Sequence, residues 1–331
     1  MAAKLDRRQF LAGTVAAGVG AALVGPEAFG APGGGRGVVA KAVRPDAVRD
    51  NEPNPKVVRE MVHAVVMKLS GKSSPEAAWK TYIRPDDVVG VKINCLFGRG
   101  ASTHPAVTAA VVEGIRMAGV PAEKIIVWDR EDKHLISAGY KTGRVEGVLY
   151  TGVNGEWEDQ PTAIHDCRGR LAKVLTRQVT ALVNVPILKT HVLSGITFSM
   201  KNHYGSFHNP GSAHGGGPRA PHGGRCDPYI AELNALPVIR QKTRLIVADA
   251  LRPVGNRGPQ VRPQWTFTEN TVLASLDTVA IDVVGIGILD AWRKKQGMPL
   301  LEPTGSARSV FTAAKKGLGE GDRRRITVLE A

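Results

Sequence analysis

Cysteine is scarce in this 331-residue sequence, which contains only Cys95, Cys167 and Cys226. The three are isolated and odd in number, so they do not form a disulfide framework. No C-x-x-C pair is present, which excludes the usual cysteine sets of structural zinc sites and iron–sulfur clusters. The sequence therefore predicts that no iron–sulfur cluster is bound.

The sequence also lacks the motifs of several common active sites. No G-x-G-x-x-G follows a strand pattern, and neither a P-loop nor a G-x-S-x-G turn is present. The H-E-x-x-H pattern of many zinc enzymes is missing as well. These absences leave dinucleotide-binding, P-loop, serine hydrolase and zinc protease functions without support.

Acidic residues are in deficit, with 30 Asp and Glu against 44 Lys and Arg and a formal net charge of +14. A basic surface favours anionic partners. Aromatic residues are only 5% of the chain, and the basic residues are scattered, so neither a stacking platform nor a recognition helix is visible. We therefore expect a small anionic ligand and no nucleic acid.

Long hydrophobic runs are missing, and the longest weakly apolar stretch lies near the N-terminus. There Arg7 and Arg8 stand in an acid-R-R-x-F-L arrangement, before an Ala- and Gly-rich stretch from Leu11 to Val24. This layout is typical of a twin-arginine export signal. A membrane anchor is the alternative, but the stretch is shorter than the roughly 20 residues that span a bilayer. We predict a signal peptide over residues 1–31, export to the periplasm or the exterior by the twin-arginine translocase, and no permanent membrane span.

After the signal, a flexible Gly-rich linker is expected over residues 32–54 and a single α/β domain over residues 55–331. A strand, a helix opening at His104-Pro105 and a second strand in KIIVWD make a βαβ unit, whose sheet should be parallel. The expected strands lie at 87–94, 124–129, 180–188, 244–248, 270–275 and 325–329. The expected helices lie at 55–70, after Ser74, after His104 and at 278–292. The fold class is therefore α/β, with a mostly parallel sheet flanked by helices.

Two stretches interrupt this regular pattern. Residues 131–178 lack clear periodicity and are expected to hold a small β-rich insertion. Residues 203–228 form a long Gly- and His-rich loop, a feature that usually binds something or moves. We expect this loop to close over a ligand, since its glycines allow the motion.

Polar side chains follow several of the predicted strands, and parallel strands carry their sites at their carboxyl ends. Lys189 and His191 alternate on one strand, so they share a face. The expected catalytic residues are Lys189, His191, Lys201 and Asp282. The expected ligand-binding residues are Lys92, Asn94, Asn202, Asp129, Asp249 and Asp277.

Other roles are open for some of these residues. Asp277 also stands where a helix N-cap is expected. Asp282 lies in the apolar stretch VAIDVVGIGIL, where a buried carboxylate needs a partner.

Histidines cluster between positions 191 and 222, with Cys226 just beyond them. The spacing of His203 and His208 allows both rings to reach one ion, although surface histidines would show the same spacing. We expect a divalent metal, of undetermined identity, with the ligands His191, His203 and His208.

Four segments carry a resemblance to a known family. They are VGVKINCLFG at 89–98, the HPAV helix start, NVPILKTHVLSGITFSMKNHYG at 184–205 and SLDTVAIDVVG at 275–285. Over residues 55–295 the chain resembles family 362 of the domains of unknown function (DUF362). Many members of that family carry a ferredoxin-like pair of iron–sulfur clusters, which three scattered cysteines cannot hold. The resemblance thus implies an exported member without that module.

Three functional hypotheses follow. The first is an exported protein whose Lys/His/Asp/Asn site binds a small anion, in its most concrete form a metal-dependent enzyme. The second is a non-catalytic envelope binding protein for an anion or a metal. The third is a structural network in which the lysines pair with Asp249, Asp277 and Asp282.

Overall fold

The structure is a computed structural model that describes residues 37–208, 210–215 and 226–331. The predicted signal peptide and the first part of the predicted linker lie outside these residues. The strands are β1 Val38–Val43, β2 Val48–Arg49, β3 Glu52–Pro53, β4 Val89–Lys92, β5 Ile125–Asp129, β6 Gly143–Val145, β7 Val148–Gly152, β8 Thr162–Ile164, β9 Cys167–Gly169, β10 Ala181–Asn184, β11 Ile187–His191, β12 Gly195–Thr197, β13 Thr243–Val254, β14 Thr271–Ser275 and β15 Thr327–Glu330. The α-helices are α1 Pro55–Ser70, α2 Pro75–Lys80, α3 Pro105–Met117, α4 Asp132–Ser137, α5 Tyr229–Ala235, α6 Pro237–Lys242, α7 Thr278–Lys295 and α8 Arg308–Lys315.

One large sheet organises these elements in the order β15-β1-β14-β13-β10-β4-β5-β7-β6, with β11 beside β13 and β12 beside β11. Parallel pairing joins β13, β10, β4, β5 and β7 into a continuous centre. β14 runs antiparallel to both of its neighbours, β13 and β1. The prediction of an α/β fold with a mostly parallel sheet is confirmed.

Hydrophobic side chains alternate between the two faces of this sheet. On β10, Ala181 and Val183 pack into a core shared with α1 and α3. Leu182, between them, packs into the core on the other face, which includes residues of α7 and α8. The period-two pattern of the strands thus places apolar layers on both faces, and helices cover them.

The β-rich character expected for residues 131–178 is confirmed. β7 extends the main sheet beside β5, β6 returns antiparallel to it at the edge, and β8 pairs with β9 in a separate hairpin. This region also contains the short helix α4.

The predicted flexible linker is wrong from Val38 onward. β1 lies between β15 and β14 in the main sheet, and its residues Val39, Ala40 and Ala42 are buried. The apolar run VVAKAV supplies the alternating side chains that such a strand needs. The linker was predicted to extend to residue 54 because the segment before β1 is rich in glycine, but the glycine-rich run ends before this strand begins.

The strand predicted over 180–188 is two strands, because Pro186 interrupts it. Proline has no N–H to donate to a ladder. Its carbonyl instead accepts from the N–H of Asp249, and β11 continues farther along the twelve-residue strand β13. Lys189 and His191 therefore lie on β11, beside the part of β13 that extends beyond the end of β10.

No helix in the three described ranges is both long and apolar enough to cross a membrane.

Candidate functional site

A cavity of about 160 Å³ lies at the carboxyl ends of β4, β5 and β11, and we call it the lysine cavity. Its position agrees with the rule that α/β sheets bind ligands at these ends. Among the described residues, its lining contains three cationic side chains and one carboxylate. The charged and polar lining residues are Asn94, Asp129, Arg130, Lys189, His191, Thr197, Lys201, Tyr204 and His214.

Lys92 and Asp129 form a buried ion pair behind this lining. The ammonium of Lys92 donates to Asp129 Oδ1 at 2.7 Å and to the carbonyl of Ile93 at 2.5 Å. The second oxygen, Asp129 Oδ2, accepts from the N–H of Cys95 at 2.6 Å. Both charges are compensated within the protein, so the pair is not available to neutralise a ligand.

Lys189 is also buried, with 1% of its surface exposed, but it has no carboxylate partner among the described residues. Its Nζ donates to Asn94 Oδ1 at 2.9 Å and to the carbonyl of Ala101 at 2.5 Å. Burial lowers the pKa of Lys189 to about 7; the charge of Asp129 opposes this shift without contacting the amine, and the charges of Lys201 and Lys92 add to it. Loss of water thus weakens the charged form of this amine.

Lys201 approaches the same cavity from the 3₁₀ segment Lys201–Ser206. Its Nζ lies 3.0 Å from His214 Nε2 and 4.0 Å from the centre of the Tyr204 ring. The other nitrogen, His214 Nδ1, lies 2.5 Å from the carbonyl of Pro210 and must donate to it, so Nε2 accepts from the lysine. Burial lowers the pKa of Lys201 to about 8.

His191 is fixed by backbone donors. The N–H groups of Leu193 and Ser194 donate to its Nδ1 at 3.1 and 3.3 Å, so the proton of the neutral imidazole lies on Nε2. Its ring stacks on that of His214 at a centroid distance of 5.3 Å. Burial and the charge of Lys201 lower the pKa of His191 far below its usual value, so it is neutral at physiological pH.

An amide network joins the lysines across the sheet. Asn94 Nδ2 donates to Asn202 Oδ1 at 3.2 Å, and Asn202 Nδ2 donates to Asn184 Oδ1 at 2.7 Å. Asn202 Oδ1 also lies 3.4 Å from the ammonium of Lys92. Asn94 and Asn202 therefore position the lysines through their side chains.

Gly205 allows the 3₁₀ segment to close on the ion pair. A Cβ at this position would lie 2.4 Å from Asp129 Oδ1 and 2.7 Å from Lys92 Nζ. On the same side, Arg130 donates to the carbonyls of Phe207 and His208 at 3.2 and 2.8 Å. The segment after Lys201 is thereby held against the end of β5.

The structure does not bring the three predicted metal ligands together. His203 is buried beside Ser206, at 3.4 Å from its hydroxyl, and His208 packs edge-on against Trp157. Among the described residues, the one group with metal-ligand spacing is His191, His214 and Cys226, whose donor atoms lie within 4.8 Å of one another.

In the observed arrangement this second trio does not offer three free donors. Lys201 occupies the lone pair of His214 Nε2, and His214 Nδ1 is the donor to Pro210. Burial raises the pKa of the Cys226 thiol, which disfavours the thiolate that metals bind. A divalent metal therefore stays a prediction, and a metal that used His214 would first have to displace Lys201.

Asp249 lies outside the lysine cavity, contrary to its predicted role there. It is on β13, where its Oδ2 accepts from Nδ1 and the backbone N–H of His104 at 2.7 and 2.8 Å. Burial lowers the pKa of His104, but the carboxylate of Asp249 outweighs it and raises that pKa above its ordinary value. His104 lines a separate cavity of about 230 Å³.

Asp277 and Asp282 are also absent from the lysine cavity, because β14 runs antiparallel to β13 and delivers its end to the opposite edge of the sheet. Asp277 is the N-cap of α7 and accepts from the N–H groups of Val279 and Ala280 at 2.9 and 2.8 Å. Asp282 accepts from the N–H of Ser199 at 2.7 Å. Burial raises the pKa of Asp282 to about 8. Both carboxylates therefore bind backbone N–H groups, and Asp282 fixes the backbone of Ser199, two residues before Lys201.

Sequence reasoning missed two aromatic residues of the cavity, Phe97 and Tyr204. Phe97 lies 5.4 Å from the Lys189 ammonium and Tyr204 lies under that of Lys201. Both stand inside the segments that carried the family resemblance, LFG and NHYG, so their proximity to the lysines was the available signal.

The sheet and its cavity define an α/β protein with a buried, lysine-lined site at the carboxyl ends of its strands. The chain matches the model of the family described as Domain of unknown function (DUF362) over residues 89–287, more than half of its length, and it belongs to that family. The matched range contains every lining residue of the lysine cavity. Comparison with curated proteins finds no match.

Proposed function

We propose that the lysine cavity binds a small anion between Lys189 and Lys201. The observation that carries this proposal is the burial of two lysines without any carboxylate partner among the described residues. A buried ammonium without a counter-charge is costly, and an anionic ligand would supply that charge. The net charge of +14 favours the approach of an anion from solution.

The contacts of the carboxylates argue against a purely structural role for the two lysines. Asp249 is held by His104, Asp277 by the first turn of α7, and Asp282 by the backbone before Lys201. Asp129, which supplies the carboxylate in the described part of the cavity lining, is paired with Lys92. Each acid that the sequence offered as a counter-charge already has other partners.

The cavity size limits the ligand. About 160 Å³ is below the roughly 300–1,000 Å³ of pockets for drug-sized molecules. A carboxylate or phosphate of a few heavy atoms fits this space, with Phe97 and Tyr204 available to an apolar part of the ligand.

Calorimetric titration of the protein with propanoate and with inorganic phosphate tests the proposal. We expect one site whose affinity falls about 10- to 100-fold in Lys189→Met and in Lys201→Met, because each lysine supplies a charge-assisted hydrogen bond of about 1.5–3 kcal/mol. Lys141→Met, at an exposed position, is the matched control and should bind like the wild type. Wild-type affinity in both cavity variants would refute the proposal.

A chelator separates this mode of binding from one that depends on a metal. If the lysines hold the anion, prior treatment with EDTA leaves the affinity unchanged. Loss of binding that returns with a divalent ion would instead favour the predicted metal site.

The choice between an enzyme and a binding protein rests on the fate of the ligand. An enzyme converts the bound compound, which NMR of the ligand after prolonged incubation detects. A binding protein returns it unchanged, with the same affinity before and after.

Export by the twin-arginine translocase is part of the same proposal, supported by the Arg7-Arg8 pattern. Replacing both residues by lysine keeps their charge but removes the guanidinium pair. We expect this variant to accumulate inside the cell, as cell fractionation measures. Arg36→Lys, beyond the predicted signal, should be exported normally.

A further inference from the structure

The hydrogen bonds of Lys189 match the donors of a neutral amine. Two acceptors contact its Nζ, the oxygens of Asn94 and Ala101 at 2.9 and 2.5 Å. A neutral amine has two N–H donors, which these acceptors satisfy, and one lone pair. An ammonium would carry a third donor, for which the described residues provide no acceptor, so the ammonium is favoured when an anion in the cavity accepts that donor and the neutral amine is favoured when none does. Since Lys189 lines the cavity, the lone pair has access to a ligand there.

Lys201 is better suited to remain charged. It lies over the face of Tyr204 at 4.0 Å, an arrangement that favours a cation. Its Nζ also donates to His214 Nε2 at 3.0 Å, whereas the two partners of Lys189 are neutral oxygens. The cavity thus combines an amine that can act as a nucleophile with a cationic anchor.

We propose that Lys189 forms an imine with a small carbonyl compound that carries an acidic group, such as a 2-oxo acid, and that Lys201 holds the acidic group. This inference rests on the proposed function, because it assigns the anion a carbonyl carbon beside Lys189. Desolvation next to another cationic group is an established way to make a lysine nucleophilic.

The step is balanced without any further reactant. The lone pair of Lys189 Nζ adds to the carbonyl carbon, the two N–H protons pass to the carbonyl oxygen, and that oxygen leaves as water. One amine and one carbonyl give one C=N bond and one water, and nothing is oxidised or reduced.

Lys92 is unsuited to this chemistry although it is equally buried. Its Nζ is bound to Asp129 at 2.7 Å, to the carbonyl of Ile93 at 2.5 Å and to Asn202 at 3.4 Å. These three acceptors satisfy all donors of an ammonium, and Lys92 does not line the cavity. The proposal is therefore specific to one lysine.

Reductive trapping tests the inference on the full chain. The protein is incubated with pyruvate and sodium cyanoborohydride, and peptide mass spectrometry locates the reduced adduct. We expect one adduct at Lys189, at least tenfold above that at exposed Lys141. Lys201→Met should lower the adduct at Lys189 by about 10-fold or more, because the carboxylate loses its charged partner. Lys189→Met, checked for a cooperative melting transition like that of the wild type, should lose the adduct.

The outcomes distinguish this inference from the proposed function. Equal labelling of Lys189 and Lys141, or no labelling, overturns the imine. If propanoate still binds in a Lys189- and Lys201-dependent manner, the anion site stands without the covalent step. If propanoate and phosphate also fail to bind, both proposals fall.

Discussion

Lys92, at the end of β4, and Lys189, on β11, are two buried lysines with different hydrogen-bond partners. Lys92 has 0% of its surface exposed and Lys189 1%, so loss of water does not distinguish them. Lys92 is bound to the carboxylate of Asp129, whereas Lys189 is bound to the neutral oxygens of Asn94 and Ala101. The partner therefore decides whether a buried lysine is structural or available to a ligand.

The largest expected effect comes from removing the paired lysine. Lys92→Met leaves Asp129 as a buried carboxylate without its cation, which costs about 3–5 kcal/mol of the free energy of unfolding. Lys189→Met leaves no charge unpaired, so we expect no comparable loss. Chemical denaturation of both variants measures the contrast. Equal losses would mean that the two lysines have the same role.

The second-largest expected effect is on the pH dependence of stability, to which Lys189 and Lys201 should contribute in different pH ranges. Burial lowers the pKa of Lys189 to about 7 in the folded protein, against about 10.4 in the unfolded chain. Between these values the unfolded chain binds more protons, so the free energy of unfolding rises with pH, by at most about 1.4 kcal/mol per unit.

Lys189→Met should abolish the part of this rise that starts near pH 7, and Lys201→Met the part that starts near pH 8. Denaturation curves from pH 6 to pH 10 give the difference from the wild type, which cancels the titration of other groups. Lys141→Met should keep the full rise. A variant slope identical to that of the wild type would contradict the assignment.

Gly205 tests how tightly the paired lysine is enclosed. A methyl group at this position would overlap Asp129 Oδ1, so Gly205→Ala should cost about 1–3 kcal/mol by overpacking. Gly287→Ala is the control, since its Cβ would meet only the flexible end of Arg323 at 3.2 Å. Thermal denaturation compares the two. A neutral Gly205→Ala would show that the ion pair can shift without loss.

Local interactions were predictable from the sequence. Asp277 stands directly before an apolar helix and its side chain caps that helix, because an N-cap contact spans only two or three residues. Lys189, Lys201 and Asn202 were found together because they occupy one segment of the chain. Helix and strand identity followed from the apolar spacing in the same way.

Long-range placement was not predictable. Asp249 and Asp277 were assigned to the lysine cavity because each follows a strand pattern, but periodicity carries no information on strand direction or neighbours. The antiparallel course of β14 sends Asp277 to the other edge, and the length of β13 leaves Asp249 beside His104. The contact of Lys201 with His214 spans a loop without periodicity, so no local signal marked it.

Asn94→Asp should have the smallest effect on stability, and it is the most direct test of the comparison between Lys92 and Lys189. This change places a carboxylate where Lys189 now has a neutral acceptor at 2.9 Å, so Lys189 acquires the kind of partner that Lys92 has. An opposite charge at this distance raises the pKa of a lysine by about 1–3 units. The amine should then stay protonated and neutralised at pH 7, so imine trapping and anion affinity should both fall at least about tenfold. Asn94→Ala removes the hydrogen bond without adding charge and serves as the control. If Asn94→Asp and Asn94→Ala reduce trapping equally, the hydrogen bond matters and the partner's charge does not, and the proposed distinction between Lys92 and Lys189 by the charge of their partners would be wrong.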